Sequence, residues 1–201
     1  MVNRTINICQ PSAGTSCGLC CGSHNYAASL SEIDALFRRR SAVFLFLEKE
    51  HGSHDDSDSS AGSFIDRYLS ELDAIGCVLP KLHEDGIQCP FFAYIDSATD
   101  TTGCLLYKNR DSGFPYLEHN TCRHFSCHAF ETLTDEEIRF AVKILPGWFY
   151  YGLLINNIDL LKSIFHSYQH AGIPDDRSLL SLRESLLNTL HPDLAGAAAY
   201  E

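Results

Sequence analysis

Apolar residues recur every three or four positions in two long parts of the chain, and this spacing predicts helices. The first helix is expected to begin near Ser29, because a serine and a glutamate stand there at capping-box spacing ahead of an apolar stripe. A second helix is expected over 63–75, after a polar loop at 51–62. The pattern therefore predicts a helical part at 29–76.

Helical spacing returns in the last third of the chain. The segment 134–137 repeats the capping-box spacing, so a helix is expected to begin there. A long, nearly all-apolar helix is expected to follow Pro146 and to run to about His170. A final helix is expected over 176–190, and together these elements form a second helical part at 134–191.

Periodicity is weak between the two helical parts. Gly, Pro and Asp are frequent over 78–131, and only 90–95 and 104–107 are expected to be extended. Such a composition is typical of irregular backbone that a bound metal helps to order, because metal binding can replace missing apolar burial.

These elements predict a mainly α fold. At 201 residues, of which 45% are hydrophobic, the chain can bury the core of one domain over 1–201. The helical domain is expected to carry an irregular, cysteine-rich metal-binding region made of 9–24 and 86–131.

The charge pattern narrows the range of partners. The formal net charge is −11, and the only cationic run, 38–40, is expected to be a solvated helix face, so no nucleic acid is expected to bind. The N-terminus has no apolar core of a secretory signal, and the most apolar stretch, 148–155, is too short to cross a bilayer. The sequence therefore predicts a cytoplasmic protein without a membrane partner.

Cysteine is unusually frequent, with nine residues, an odd number. Seven of them form two groups along the chain: Cys17, Cys20 and Cys21, then Cys89, Cys104, Cys122 and Cys127. Close cysteines that recur at a distance are typical of thiolate ligands around a metal, whereas a disulfide framework expects an oxidising compartment and an even count. Buried, inert thiols are the alternative, and that interpretation suits Cys77. The pattern predicts the seven grouped cysteines as metal ligands.

The first group contains a C-x-x-C spacing. One tight turn can aim the sulfurs of Cys17 and Cys20 at one metal ion, and Gly18 is expected to let the backbone turn without a Cβ clash. Cys20 and Cys21 diverge because they are neighbours, so one lies outside the ligand shell, the site is polynuclear, or there are two sites. A thioredoxin-like redox pair expects a βαβ context, which the sequence lacks. Seven thiols exceed the four that one zinc needs, which favours a cluster or two centres.

The residues around the cysteines resemble a known family. The motifs are Cys17-Gly18-Leu19-Cys20-Cys21, Cys89-Pro90-Phe91, Gly103-Cys104-Leu105-Leu106-Tyr107 with Arg110, and Cys122-Arg123-His124-Phe125-Ser126-Cys127. Their order resembles the YkgJ-type cysteine-rich family, described as a zinc- or iron-chelating domain, to which flagellin lysine N-methylases are similar. The resemblance implies a metal bound by these cysteines.

The chain departs from the family pattern at several points. The family has an eighth cysteine three residues before the equivalent of Cys17, and Gly14 stands there in this chain, with Cys9 as a candidate replacement. An insertion follows Arg110 and runs to Asn120. Histidines near the cysteines are expected to be solvated or hydrogen-bonded more often than ligating; they are His24, His119, His124 and His128.

Two functions fit these observations. The first is a metalloprotein that holds an iron–sulfur cluster and supports redox or protein-modification chemistry, with a protein as a possible substrate or partner. The second is a structural zinc domain or metal carrier without catalysis. Phosphate-binding, nucleophile-elbow and H-E-x-x-H motifs are not found, so no residue receives a catalytic role.

Overall fold

The computed structural model describes residues 5–51, 58–106, 127–168 and 172–190. Within these ranges the chain forms seven α-helices, a short 3-10 helix at Leu19–Cys21 and a two-stranded sheet. The mainly α fold that apolar spacing predicts is confirmed.

The first helical part contains α1, Leu30–His51, and α2, Asp58–Ala74. The predicted capping box is present: the Ser29 N–H donates to Glu32 Oε2 at 2.8 Å, and the Glu32 N–H donates to Ser29 Oγ at 3.3 Å. The predicted loop over 51–62 is too long, because α2 begins at Asp58 rather than at 63. A run of Asp and Ser is compatible with a first helical turn, where acidic residues oppose the positive end of the helix dipole.

A β-hairpin follows these helices. Strand β1, Phe92–Asp96, pairs antiparallel with β2, Thr101–Cys104, and Phe92 lies opposite Cys104. The prediction of extended chain at 90–95 agrees with β1. The prediction at 104–107 holds for Cys104 and is wrong for 105–106, because β2 ends at Cys104; Tyr107 lies outside the described residues. The two threonines of β2 are β-branched, which favours a strand, and they pair with β1. In the turn between the strands, the Ala98 N–H donates to Asp96 Oδ1 at 2.9 Å.

The second helical part is divided more finely than the sequence predicts. Its helices are α3, His128–Thr132; α4, Asp135–Ile144; α5, Phe149–Asn156; α6, Ile158–Tyr168; and α7, Asp176–Leu190. The predicted capping box at Thr134 and the predicted bounds of α7 are confirmed. The single long helix after Pro146 is wrong, because Asn157 leaves helical geometry with φ −99° and ψ 70°. Apolar residues flank this break on both sides, so periodicity does not reveal it.

Two hydrophobic cores fill the described part of the molecule. Core one joins α1 and α2 to the hairpin, and its largest buried side chains include Phe37, Tyr68 and Phe91. Core two lies among the five helices α3 through α7, and Leu133 is one of its fully buried side chains. Trp148, just before α5, packs against both cores.

The N-terminal arm links the two cores. Ile8 is buried in core two, and Tyr26 is buried in core one. Between them the chain forms the 3-10 helix, and Gly22 ends it in the left-handed conformation with φ 74°. The cysteines of the first sequence group therefore lie where the two cores meet.

Gly22→Ala is expected to destabilise the protein far more than Gly76→Ala. Both glycines have positive φ, so each substitution carries a backbone strain of about 1 kcal/mol. A Cβ at Gly22 would also lie 1.7 Å from the Ile87 carbonyl oxygen, whereas a Cβ at Gly76 meets nothing within 4 Å. Urea unfolding should show a loss of about 1 kcal/mol for Gly76→Ala and a clearly larger loss for Gly22→Ala. Equal losses would contradict the close packing of the arm against 87–88.

Candidate metal centre

The structure describes eight of the nine cysteines, and Cys122 lies outside the described residues. They divide differently from their order in the sequence. We call Cys9, Cys17, Cys20 and Cys127 the core-two thiol group, because Cys17 and Cys127 pack against core two. We call Cys21, Cys89 and Cys104 the core-one thiol group, because all three pack against core one. The 3-10 helix supplies a member to each group.

In the core-two thiol group, backbone and side-chain hydrogen bonds fix the position of Cys17. Its N–H donates to the Cys9 carbonyl at 2.9 Å, and Asn156 Nδ2 on α5 donates to its Sγ at 3.5 Å. Burial, followed by the charges of Cys20 and Cys127, raises the pKa of Cys9 to about 11. Burial also raises the pKa of Cys17 to about 12. Both side chains are therefore protonated at neutral pH until a cation draws the proton away.

In the core-one thiol group, contacts between distant segments bring the cysteines together. The Cys89 N–H donates to the Cys21 carbonyl at 2.9 Å, and the Phe92 N–H donates to the Cys89 carbonyl at 3.2 Å. Because Phe92 faces Cys104 across the hairpin, Cys104 joins the same region. The hydrogen bond to Cys20 raises the pKa of Cys21, and burial and the charges of Cys20, Cys89 and Cys104 raise it further.

Cys20 and Cys21 connect the two groups. The Cys21 thiol donates a hydrogen bond to Cys20, and this bond lowers the pKa of Cys20 to about 7 against the opposing effect of burial. Cys20 affects the pKa of Cys9 and Cys17, whereas Cys21 responds to Cys89 and Cys104. The expectation that these neighbours diverge is therefore wrong for their thiols, which are hydrogen-bonded to each other, although each is coupled to a different set of cysteines.

The described side chains do not form a ready-made metal site. Among residues 5–51, 58–106, 127–168 and 172–190, no three or more Cys, His, Asp or Glu side chains form a group that could hold a metal ion as they stand. Cys77 is buried in core one beside the Leu36 carbonyl, as expected for an inert thiol.

Two glycines shape the arm for different reasons. Gly18 is expected to avoid a Cβ clash, and the structure shows such a clash, although its φ of −126° is one that other residues also adopt. It is needed for packing, because a Cβ there would lie 2.1 Å from the Phe92 ring. Gly14 has φ 72°, and a Cβ would lie 3.0 Å from the Thr99 carbonyl oxygen. A cysteine at position 14 would be strained, because its backbone has positive φ and its Cβ would press on this carbonyl. Cys9 lies near Cys20 and Cys127 instead.

His24 fastens the arm to α5. It is buried, with Nδ1 at 2.8 Å from Ser23 Oγ and Nε2 at 2.8 Å from the Phe149 carbonyl, and its ring stacks on Phe149. Both ring nitrogens are thus engaged, which agrees with the hydrogen-bonded interpretation. His128 is exposed, with Nδ1 at 3.4 Å from Thr132 Oγ1. His119 and His124 lie outside the described residues.

A cavity of about 800 Å³ opens beside the core-two thiol group. Leu19 and Asn156 line it, and Asn156 is the residue that donates to Cys17 Sγ. Lys162 and His128 contribute cationic or titratable groups to its wall. The cavity therefore combines apolar and polar surface, and Asn156 connects its wall to the Cys17 sulfur.

Comparison with protein-family models, curated proteins and solved structures found no match to this chain. In the part of the chain that the structure describes, none of the helices has the length and apolar character needed to span a bilayer.

Acidification is expected to destabilise the protein through His24. Burial lowers its pKa to about 4, from the ordinary value of 6.5. Because the unfolded chain takes up this proton first, stability falls as the pH drops from about 6.5 to about 4 and then levels off. The loss amounts to about 3 kcal/mol. Urea unfolding from pH 7 to pH 4, with a chelator present, should show this loss.

His24→Gln is the matched control, because its amide can still donate to the Phe149 carbonyl but does not titrate. Between pH 7 and pH 4, the free energy of unfolding of this variant should fall by about 3 kcal/mol less than that of the wild type. The same pH dependence in both proteins would contradict the assignment of a neutral, buried His24.

Proposed function

We propose that this protein is a cysteine-ligated metalloprotein. The observation that supports the proposal is that seven cysteines from four segments are linked to one 3-10 turn by backbone hydrogen bonds, packing or mutual electrostatic effects, although no three described side chains are arranged to hold a metal ion. Four of them are Cys9, Cys17, Cys20 and Cys127, and three are Cys21, Cys89 and Cys104. Cys122 is proposed as an eighth ligand from its place in the sequence motif. The resemblance to the YkgJ-type family supports the same proposal.

The donor set favours an iron–sulfur cluster as the bound group. A cluster distributes its ligands over several irons, so it can use neighbours such as Cys20 and Cys21 whose side chains face different groups. When bound, such a cluster supplies one-electron transfer. The protein's own residues would shield the site, because both thiol groups pack against hydrophobic cores.

A structural zinc site or metal carrier without catalysis is the second candidate. The core-two thiol group contains four cysteines, which is the number that a closed tetrahedral zinc site requires. Its members come from the arm and from the residue preceding α3, so a zinc ion would tie these segments together. Under this proposal the helices would present a surface to a protein partner.

The cavity beside Leu19 supports chemistry rather than a purely structural role. It leaves room for a substrate next to the core-two thiol group, and Asn156 joins the cavity wall to Cys17. Redox or protein-modification chemistry on a protein substrate is therefore the activity that we propose. A reducing compartment such as the cytoplasm would keep the cysteines available as thiols.

Loss of a ligand should lower the metal content of the purified protein. Cys17→Ser and Cys104→Ser remove one member from each thiol group, and each variant should lose most of the bound metal because a hydroxyl is a poor replacement for a thiolate. Cys77→Ala is the matched control and should retain wild-type metal. Elemental analysis of anaerobically purified proteins measures this. Full retention of metal in both serine variants would exclude the proposed site.

The visible spectrum should separate the two candidates. Anaerobically purified protein with an iron–sulfur cluster should be brown and should bleach on reduction. A colourless protein that contains zinc would favour the structural or carrier role. Protein that contains neither iron nor zinc when purified and does not take up either metal under reducing conditions would contradict both candidates.

A further inference from the structure

Arg40 on α1 is a cation buried inside core one. Only 3% of its surface is exposed. Its Nη1 donates to the Tyr26 hydroxyl at 2.9 Å, to the Cys89 carbonyl at 3.1 Å and to the Phe92 carbonyl at 3.3 Å. Its Nε is buried without a hydrogen-bond partner among the described residues. The acceptors that these three hydrogen bonds reach are thus all neutral groups.

No carboxylate of the described residues pairs with Arg40. The ion pairs of α1 involve its exposed residues: Arg38 binds Asp34 and Asp100, and Glu50 binds Arg67. A buried charge without an opposite charge is costly, and proteins normally pair a buried cation with an anion. The position therefore calls for a negative charge that the described carboxylates do not supply.

The titratable neighbours of Arg40 are neutral at neutral pH. Burial raises the pKa of Tyr26, of Tyr68 and of the Cys77 thiol, even though the charge of Arg40 lowers each of them. The rings of Tyr26 and Phe37, each 5.9 Å from the guanidinium carbon, offer only partial compensation. Tyr68 also responds to Cys89 and Cys104, so Arg40 and the core-one thiol group lie around the same tyrosine.

We propose that Arg40 is the counter-charge of the core-one thiol group. Its guanidinium would balance the negative charge of Cys21, Cys89 and Cys104 when these cysteines bind metal as thiolates. This inference rests on the proposed metalloprotein function and adds to it the group that balances the charge of the metal centre. Three or more thiolates exceed the charge of a divalent ion, so the centre is net negative, and a buried cation nearby stabilises it.

The hydrogen bond from Arg40 to the Cys89 carbonyl gives the inference a structural basis. The same cysteine has its N–H bound to the Cys21 carbonyl, so Arg40 is two hydrogen bonds away from the 3-10 turn. Without bound metal, no carboxylate among the described residues pairs with Arg40. Removal of this cation should therefore affect the metal-bound protein more than the metal-free protein.

The test compares Arg40→Met with Arg40→Lys, which keeps the positive charge. Arg39→Met is the matched control, because Arg39 is the exposed neighbour on the same helix. Metal affinity is measured by competition with a chelator, with zinc and with iron under reducing conditions. We expect Arg40→Met to bind roughly tenfold more weakly or worse, the scale of one charge acting at a partly buried site, while Arg40→Lys stays closer to wild type. Arg39→Met should stay within roughly twofold of wild type.

Urea unfolding with and without metal separates charge compensation from a purely structural role. Arg40→Met should reduce the stabilisation that metal provides by the free energy equivalent to its loss of affinity, about 1.4 kcal/mol for a tenfold loss, while a structural role would lower the stability of both states equally. Arg40→Gln, which keeps a donor for the Cys89 carbonyl, replaces Arg40→Met if the latter does not fold.

Wild-type affinity in the neutral variant would overturn the inference and leave the proposed function intact. Wild-type protein that binds neither metal would overturn both.

Discussion

Two backbone hydrogen bonds are the constraint on which the arrangement of the cysteines depends. The Cys17 N–H binds the Cys9 carbonyl, and the Cys89 N–H binds the Cys21 carbonyl, both at 2.9 Å. The first folds the arm onto itself beside core two, and the second joins the arm to core one. Gly22, at the end of the turn, fits only without a side chain, and His24 then anchors the arm to α5. The position of each thiol group follows from these contacts.

The electrostatics of the site have two parts that complement each other. Burial raises the pKa of Cys9 and of Cys17, so these two thiols need a cation before they can act as thiolates at neutral pH. Arg40 is a buried cation without a carboxylate partner among the described residues. The proposed metal would meet both needs, because it would displace the protons of the core-two thiols, and the negative charge of the core-one thiolates would balance the guanidinium. On this account, folding and metal binding stabilise each other.

Local signals in the sequence predicted the elements that local interactions determine. Both capping boxes and the bounds of α7 agree with the structure, because their hydrogen bonds lie within one helical turn. The break at Asn157 was not predictable, since the apolar residues on both sides continue the helical spacing. From the sequence we could predict only that the neighbours Cys20 and Cys21 would not share one metal ion, and not which thiol group each of them joins. That choice depends on the contact of Cys21 with the distant Cys89, which spacing alone does not reveal.

The central claim is that cysteines on both sides of the 3-10 turn bind metal. Anomalous diffraction at the iron and zinc edges, from crystals grown anaerobically, tests it most directly. The account predicts metal peaks beside the turn, bonded to sulfurs of the core-two thiol group and of the core-one thiol group. A metal-replete crystal in which no peak lies within bonding distance of Cys20 or Cys21 would contradict it.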